Sequence, residues 1–260
     1  MRPAPERQTT SGHGGKAIGG HGGSDNIQRL ARRARCALYA GDNVECPCCG
    51  ATFRAFLPGP NGRPGARCPG CDSLERHRLL WLYLVDVMHI RSARLKMLHF
   101  APEAALEKNM CGLPGLERIR SDFDSPVPAE RIDITDIPYP DGSFDAILCI
   151  HVLEHIPAED VALSELLRVL KPGGWAIVQS ALDPSLELTL EDPTIDTAEA
   201  RARAYGQEDH VRLYGRDYPG RLSSGGFKVT VDDYAASLVP SMAARYGLMK
   251  DETICLCEKP

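Results

Sequence analysis

The sequence predicts an α/β protein: a mostly parallel, doubly wound sheet with an antiparallel edge, preceded by a small zinc ribbon. Three observations lead there. From Leu95 onward, short apolar runs alternate with stretches of helical periodicity, as in a parallel sheet covered by helices on both faces. Two further apolar runs, "GFKVTVDDY" and "TICLCEK", lie close together at the end and suit an antiparallel edge. Four cysteines stand in two C-x2-C pairs near the front.

Taken in order, residues 1–40 are Gly-, Ser- and Pro-rich at first, without the apolar core of a secretory signal, and are expected to be disordered and basic. That stretch carries a charge of +5 within a chain of net charge −5, so the body is acidic at −10. An acidic body argues against a broad nucleic-acid footprint. The segment "RLARRARCALYAG" reads as a short solvated helix. No apolar run approaches the roughly 18–20 residues that span a bilayer, and a cytoplasmic address is the expectation.

Residues 41–75 form the expected ribbon. Cys46 and Cys49 make one pair, Cys68 and Cys71 the other, with 18 residues between the pairs. Four thiolates suit a closed tetrahedral Zn²⁺ site, hence a structural rather than catalytic metal. Cys48 is a competing ligand. Between the pairs "TFRAFLP" alternates and "GPNGRPG" is turn material, as a β-ribbon requires. In "SLERHRLLWLYLVDVMHI" Ser73 is the expected helix cap, and the helix is apolar on most sides, fit for burial between ribbon and body.

The body, 76–260, reads as strand "LKMLHF", helix "PEAALEKNM", strands "LERIRSDF" and "ERIDIT", the longer strand "GSFDAILCIHVL", the amphipathic helix "AEDVALSELLRVL" stopped at Lys171-Pro172-Gly173-Gly174, and strand "GWAIVQSAL". Ligands of such sheets sit beyond the carboxyl ends of the strands. Acids just past several strand ends suit ribose hydroxyls, an adenine amine and a cationic sulfonium better than a phosphate-rich nucleotide.

The stretch "DITDIPYPDGSFDAILCIHVLEHI" followed by "ELLRVLKPGGWAIV" resembles class I S-adenosylmethionine-dependent methyltransferases, nearest the quinone-biosynthesis branch. The resemblance implies a Rossmann-like domain, S-adenosyl-L-methionine as cofactor and methyl transfer. Carried over by position, Asp122 (with Asp124 as rival) would hold the ribose, Asp133 and Ile134 the adenine, and Cys149 to His151 would lie beside the methionine end and the acceptor. Glu154 and His155 would face substrate. The departure is at the first strand's end. The family's Gly-x-Gly-x-Gly is replaced by Phe100-Ala101-Pro102-Glu103. Either these residues form a stiffer cofactor lip, with Glu103 pairing the ligand's ammonium, or cofactor binding has decayed. His99 faces pocket or core.

Proton handling falls to His151, His155 and His210. The insertion-sized stretch 183–215 is expected to form a lid over the site. In it His210 and Arg212 would share one face of an extended run, with Arg212 and Tyr214 gripping an anionic group of the acceptor. The reading is methyl transfer to a small-molecule or glycan/lipid-precursor acceptor. An RNA or protein methyltransferase that recognises through its ribbon, and a binding protein with a degenerate site, are the alternatives.

Overall fold

The structure is a computed structural model and describes residues 21–121 and 130–260. The expectation of disorder at the extreme N-terminus, and the roles given to Asp122 and Asp124, fall outside those residues. Helix α1 (His21–Leu38) leads into the ribbon, with Ile27, Leu30 and Leu38 exposed on it. Near its end Arg35 donates to Asp72 and to the Pro69 carbonyl of the ribbon. Strands β1 (Val44–Glu45) and β2 (Thr52–Phe53) form the antiparallel ribbon, Val44 opposite Phe53.

Helix α2 (Glu75–Asp86) starts one residue later than the sequence suggests. Leu74 holds the cap position, and its N–H donates to His77 Nδ1 at 3.1 Å. The third-position side chain that closes the first turn is therefore His77. Leu79, Leu80, Tyr83 and Leu84 of this helix are buried.

The body is a six-stranded sheet. Its strands are β3 (Leu95–Phe100), β4 (Leu116–Ser121), β5 (Phe144–Ile150), β6 (Leu170–Gln179), β7 (Lys228–Asp232) and β8 (Ile254–Glu258), in the order β4-β3-β5-β6-β8-β7. The first four are mutually parallel, and β8 pairs antiparallel with both β6 and β7. This is the Rossmann-like sheet with an antiparallel edge that the sequence predicts. Helices α3 (Ala104–Met110), α4 (Glu159–Val169), α5 (Ala198–Tyr205), α6 (Tyr218–Ser224), α7 (Tyr234–Ser237) and α8 (Pro240–Tyr246) complete it.

Alternation along the strands builds two cores. Leu98, Phe100, Ile147, Cys149, Ala176, Val178, Cys255 and Cys257 pack on one face with Leu163 and Leu166 of α4. Met97, Ala146, Leu148, Ile150, Ile177 and Ile254 pack on the other with α2, α3 and the ribbon's Cys46, Phe53 and Phe56. Side chains of period two on a sheet covered on both sides leave near-continuous apolar runs, which is what the sequence shows.

Two elements differ from expectation. "ERIDIT" is not a strand: it makes one parallel bridge, Ser121 to Glu130, and then turns. Asp133 Oδ1 accepts from the Thr135 N–H (2.8 Å) and hydroxyl (2.7 Å), a local turn that competes with a sheet ladder. Ile132, Ile134 and Ile137 still enter the core, which explains the strand-like pattern. Lys171–Gly174 does not stop the helix before a later strand but bulges within β6. Phe144 faces Leu170, and Ala146 already faces Trp175.

Candidate functional site

The carboxyl ends of β3, β5 and β6 come together, and a cavity of about 500 Å³ opens beside them. Ile150, His151, Gln179 and Glu103 line it from the strand ends; Arg63, Glu75 and Arg76 line it from the ribbon and α2. The residues just past β3 and β5 both adopt the left-handed backbone region, Ala101 with φ 44° and His151 with φ 54°. A side-chain-bearing residue pays roughly 1–2 kcal/mol there. The turn shape therefore persists at the first strand's end although its glycine does not.

Glu103 Oε1 accepts from His77 Nε2 at 2.6 Å and from Arg76 at 3.2 Å. Since His77 Nδ1 is already an acceptor, its proton sits on Nε2. Burial pushes the Glu103 carboxyl up, but His77 and Arg76 outweigh it, and the group is held below its usual range. Its other oxygen is buried without a partner among the described residues. Glu252, also lining the cavity, has an unpartnered Oε2 as well. Burial, and then the charge of Glu75, push it up to about 7.

His151 is half-buried, its Nδ1 3.0 Å from Glu154 Oε1. Glu154 is 1% exposed and also accepts from the Ser180 hydroxyl at 2.6 Å. Burial opposes its charge, yet the His151 and Ser180 hydrogen bonds keep its carboxyl low. An ionised Glu154 thus holds the Nδ1 proton of His151 and leaves Nε2 as the ring's other functional nitrogen. Expected to contact substrate, Glu154 instead sits behind His151 and orients it.

His155 and His210 meet each other rather than the cavity lining. Their rings lie 4.7 Å apart, edge to face. Arg212 and Tyr214 do not reach a substrate group. They do share one face with His210, but that face looks inward: the three are 1%, 0% and 3% exposed. Arg212 donates to the carbonyls of Leu153 (2.7 Å), Ile156 (2.6 Å) and Pro157 (3.1 Å) and to Glu191 (2.6 Å). Tyr214 donates to Glu159 at 2.6 Å. Both are spent on fastening the 183–215 segment to the body, and neither is free to grip a substrate.

Of the other expected cofactor residues, Ile150 lines the cavity, while Phe100, Ile134 and Cys149 are core. Ala101 is exposed, Pro102 half-buried, and Asp133 is exposed in its turn. His99 is fully buried, its Nδ1 3.6 Å from Glu107. Arg76, His77 and Glu252 were invisible as site residues, since their contacts join segments far apart in sequence.

The cysteines form a second site. Cys46, Cys49, Cys68 and Cys71 bring all four sulfurs within 4.8 Å of one another. Cys46–Cys71 is 3.6 Å and Cys49–Cys68 is 3.8 Å. A tetrahedron with Zn–S near ~2.3 Å has sulfur–sulfur edges of about 3.8 Å, so the set fits zinc. The Gly70 N–H points to Cys68 Sγ at 3.3 Å, as a thiolate knuckle requires, and a Cβ on Gly70 would crowd Phe53 at 3.1 Å. Cys48 stands outside, donating to the His77 carbonyl.

Comparison with known proteins bears on the same strands. Residues 107–178 match the methyltransferase-domain family model. That methyltransferase-like stretch runs from α3 through β4, β5 and α4 to the end of β6. The chain is 33% identical over 86 residues to ajmaline N-methyltransferase of Rauvolfia serpentina, covering 33% of this chain and 27% of that protein. It is 40% identical over 57 residues to a ubiquinone/menaquinone biosynthesis C-methyltransferase of Nitrosospira multiformis, covering 22% and 23%. The chain thus spans about a quarter of the curated relatives it matches. Among solved structures, a 1,6-didemethyltoxoflavin-N1-methyltransferase of Burkholderia thailandensis aligns with a TM-score of 0.45 and 14% identity, over 70% of this chain and 77% of that one. No described helix is long and apolar enough to cross a membrane.

Proposed function

We propose that the chain is an S-adenosylmethionine-dependent methyltransferase for a small-molecule or glycan/lipid-precursor acceptor, with 76–260 as its catalytic unit and the zinc-loaded 41–75 ribbon as one wall of the acceptor pocket. The observation that carries this is the pair Glu103 and Glu252, which line a cavity at the tips of parallel strands and each keep one buried carboxyl oxygen without a partner among the described residues. A buried carboxylate oxygen without a donor costs free energy that a ligand cation relieves. The ammonium and sulfonium of S-adenosylmethionine are such cations, and a phosphate is not. When bound, that cofactor supplies an electrophilic methyl group.

The chain's own residues would do the rest. Glu103 would take the amino-acid end, and Asp133 the adenine amine. Ile150 and Leu80 would exclude water. His151, oriented by Glu154, would accept the acceptor's proton as the nucleophile bonds to the methyl carbon and the carbon–sulfur bond breaks. Arg63 of the ribbon and Arg76 of α2, though each is paired with a carboxylate, are the cations lining the cavity and would meet an anionic acceptor group in place of the buried Arg212. The acidic body and this small cavity favour a small acceptor over RNA.

Calorimetry with S-adenosylhomocysteine tests the assignment. Wild type binds, and Glu103→Gln weakens binding by roughly 10- to 100-fold, the worth of one charge-assisted hydrogen bond. Absence of heat from wild type at millimolar ligand would remove the proposal.

A further inference from the structure

His155 and His210 are set up for something other than proton transfer. His210 is 3% exposed, and its Nδ1 lies 3.2 Å from the Tyr205 carbonyl. A carbonyl only accepts, so the proton sits on Nδ1 and Nε2 presents a bare lone pair. That Nε2 is buried with no partner among the described residues. His155 stands beside it, half-buried, its Nδ1 3.1 Å from Asp209 Oδ2 in an ion-pair contact. His210, with its Nδ1 proton held by a carbonyl and its buried Nε2 unpartnered among the described residues, is posed as a metal-ligating histidine is, the outer oxygen fixing tautomer and ring. A carboxylate completes the group: Glu154, His155 and His210 each offer one ligand atom, all within 4.8 Å of one another.

We propose that Glu154, His155 and His210 bind a divalent first-row transition ion, a second metal site independent of the four cysteines. Two imidazoles and one carboxylate suit Zn²⁺, Fe²⁺ or Co²⁺ and leave coordination positions open. Magnesium and calcium, which take oxygen ligands, do not fit the set. The site joins the turn after β5 to the run after α5, which already meet where the Val211 N–H donates to the Glu154 carbonyl at 2.9 Å. A bound ion would staple the 205–214 stretch to the strand end that carries His151.

The test is cobalt titration of the full-length, reduced protein, following absorption and bound metal. Wild type takes two equivalents. One shows the sulfur-to-cobalt charge-transfer bands of thiolate ligands, and the other shows only weaker visible bands of nitrogen and oxygen ligands. His155→Gln, at a half-exposed position, takes only the thiolate-bound equivalent. Asp209→Asn, fully compatible with the fold at an exposed site, keeps both but weakens the second by about 10- to 100-fold. Hydrogen exchange follows in parallel: Zn²⁺ slows exchange across 205–214 in wild type and leaves it unchanged in His155→Gln. Saturation of wild type at one thiolate-bound equivalent, or a second equivalent that survives His155→Gln unaltered, overturns the site.

Discussion

Ala101 holds a conformation that glycine would hold without strain, φ 44° at the end of β3. Glycine there relieves roughly 1–2 kcal/mol of crowding and gives back roughly 0.4–1 kcal/mol through a more flexible unfolded chain. Ala101→Gly is therefore expected to be neutral or to stabilise by up to about 1.5 kcal/mol, and Ala101→Val to destabilise by more than ~1 kcal/mol, both read from urea midpoints. Arg212 carries a different lesson. Removing its guanidinium takes a donor from three carbonyls and from Glu191; Glu191 keeps Arg221 and the Leu153 carbonyl keeps the Ile156 N–H. Arg212→Ala is expected to cost at least about 1–3 kcal/mol, the desolvation penalty of a buried carbonyl left without a donor. A role in substrate grip alone would leave stability unchanged. Glu252 gives a pH signature. Folded, it keeps its proton up to about 7; unfolded, it releases it near its ordinary 4.5. Its contribution is complete below 4.5 and is lost as pH rises through 7. Glu252→Gln should then gain stability relative to wild type between pH 5 and pH 8, and parallel curves for the two proteins would show that Glu252 is not strained.

At the scale of elements, spacing conveys which residues share a face but not where that face looks. His210, Arg212 and Tyr214 alternate as an extended run should, yet the side they share is the core, fastened through Glu159, Glu191 and Arg221. The period-two strands β3, β5 and β6 were legible because both faces are covered, so apolar residues run without interruption and no choice of side is needed. "ERIDIT" misled for the related reason that isoleucines entering the core from a turn look like those of a strand. The C-x2-C pairs were legible because metal geometry demands local spacing, whereas Arg76, His77 and Glu103 meet through tertiary packing alone. Arg78 was equally hidden. Fully buried, it donates to Ala66 and Ser73 in the ribbon and to Tyr246 and Gly247 at the end of α8, with its guanidinium 4.0 Å above Phe56. Gly247 is left-handed, and a Cβ there would lie 2.7 Å from Phe56. Arg78→Ala is expected to loosen the ribbon and α8 together, so that hydrogen exchange quickens in both; a change confined to the ribbon would mean that the two are held separately.

For the molecule as a whole, the ribbon is not an appendage hung on a finished body. Its cysteines, Phe53 and Phe56 share one core with α2, β3, β5 and β6. The same α2 carries Arg76 and His77 to Glu103, and the ribbon's Arg63 makes a two-pronged contact with Glu75, 2.9 Å on each arm, at the cavity edge. Four cysteines that hold the ribbon's shape therefore also hold the donors that orient Glu103. Structural zinc contributes folding energy outright in a unit too small to fold by apolar burial alone. If zinc is bound there, releasing it should loosen α2 and the side of β5 that packs on it and deprive Glu103 of its two donors, while Glu154 keeps its hold on His151. Cys68→Ser, or exhaustive chelation of wild type, is accordingly expected to lower S-adenosylhomocysteine affinity at least about tenfold, the loss of one charged hydrogen bond, while far-UV circular dichroism keeps most of the sheet signal. Metal-free protein that binds this ligand as tightly as the zinc form would show that the ribbon and the pocket are energetically separate, and the ribbon's place as a pocket wall would have to be given up.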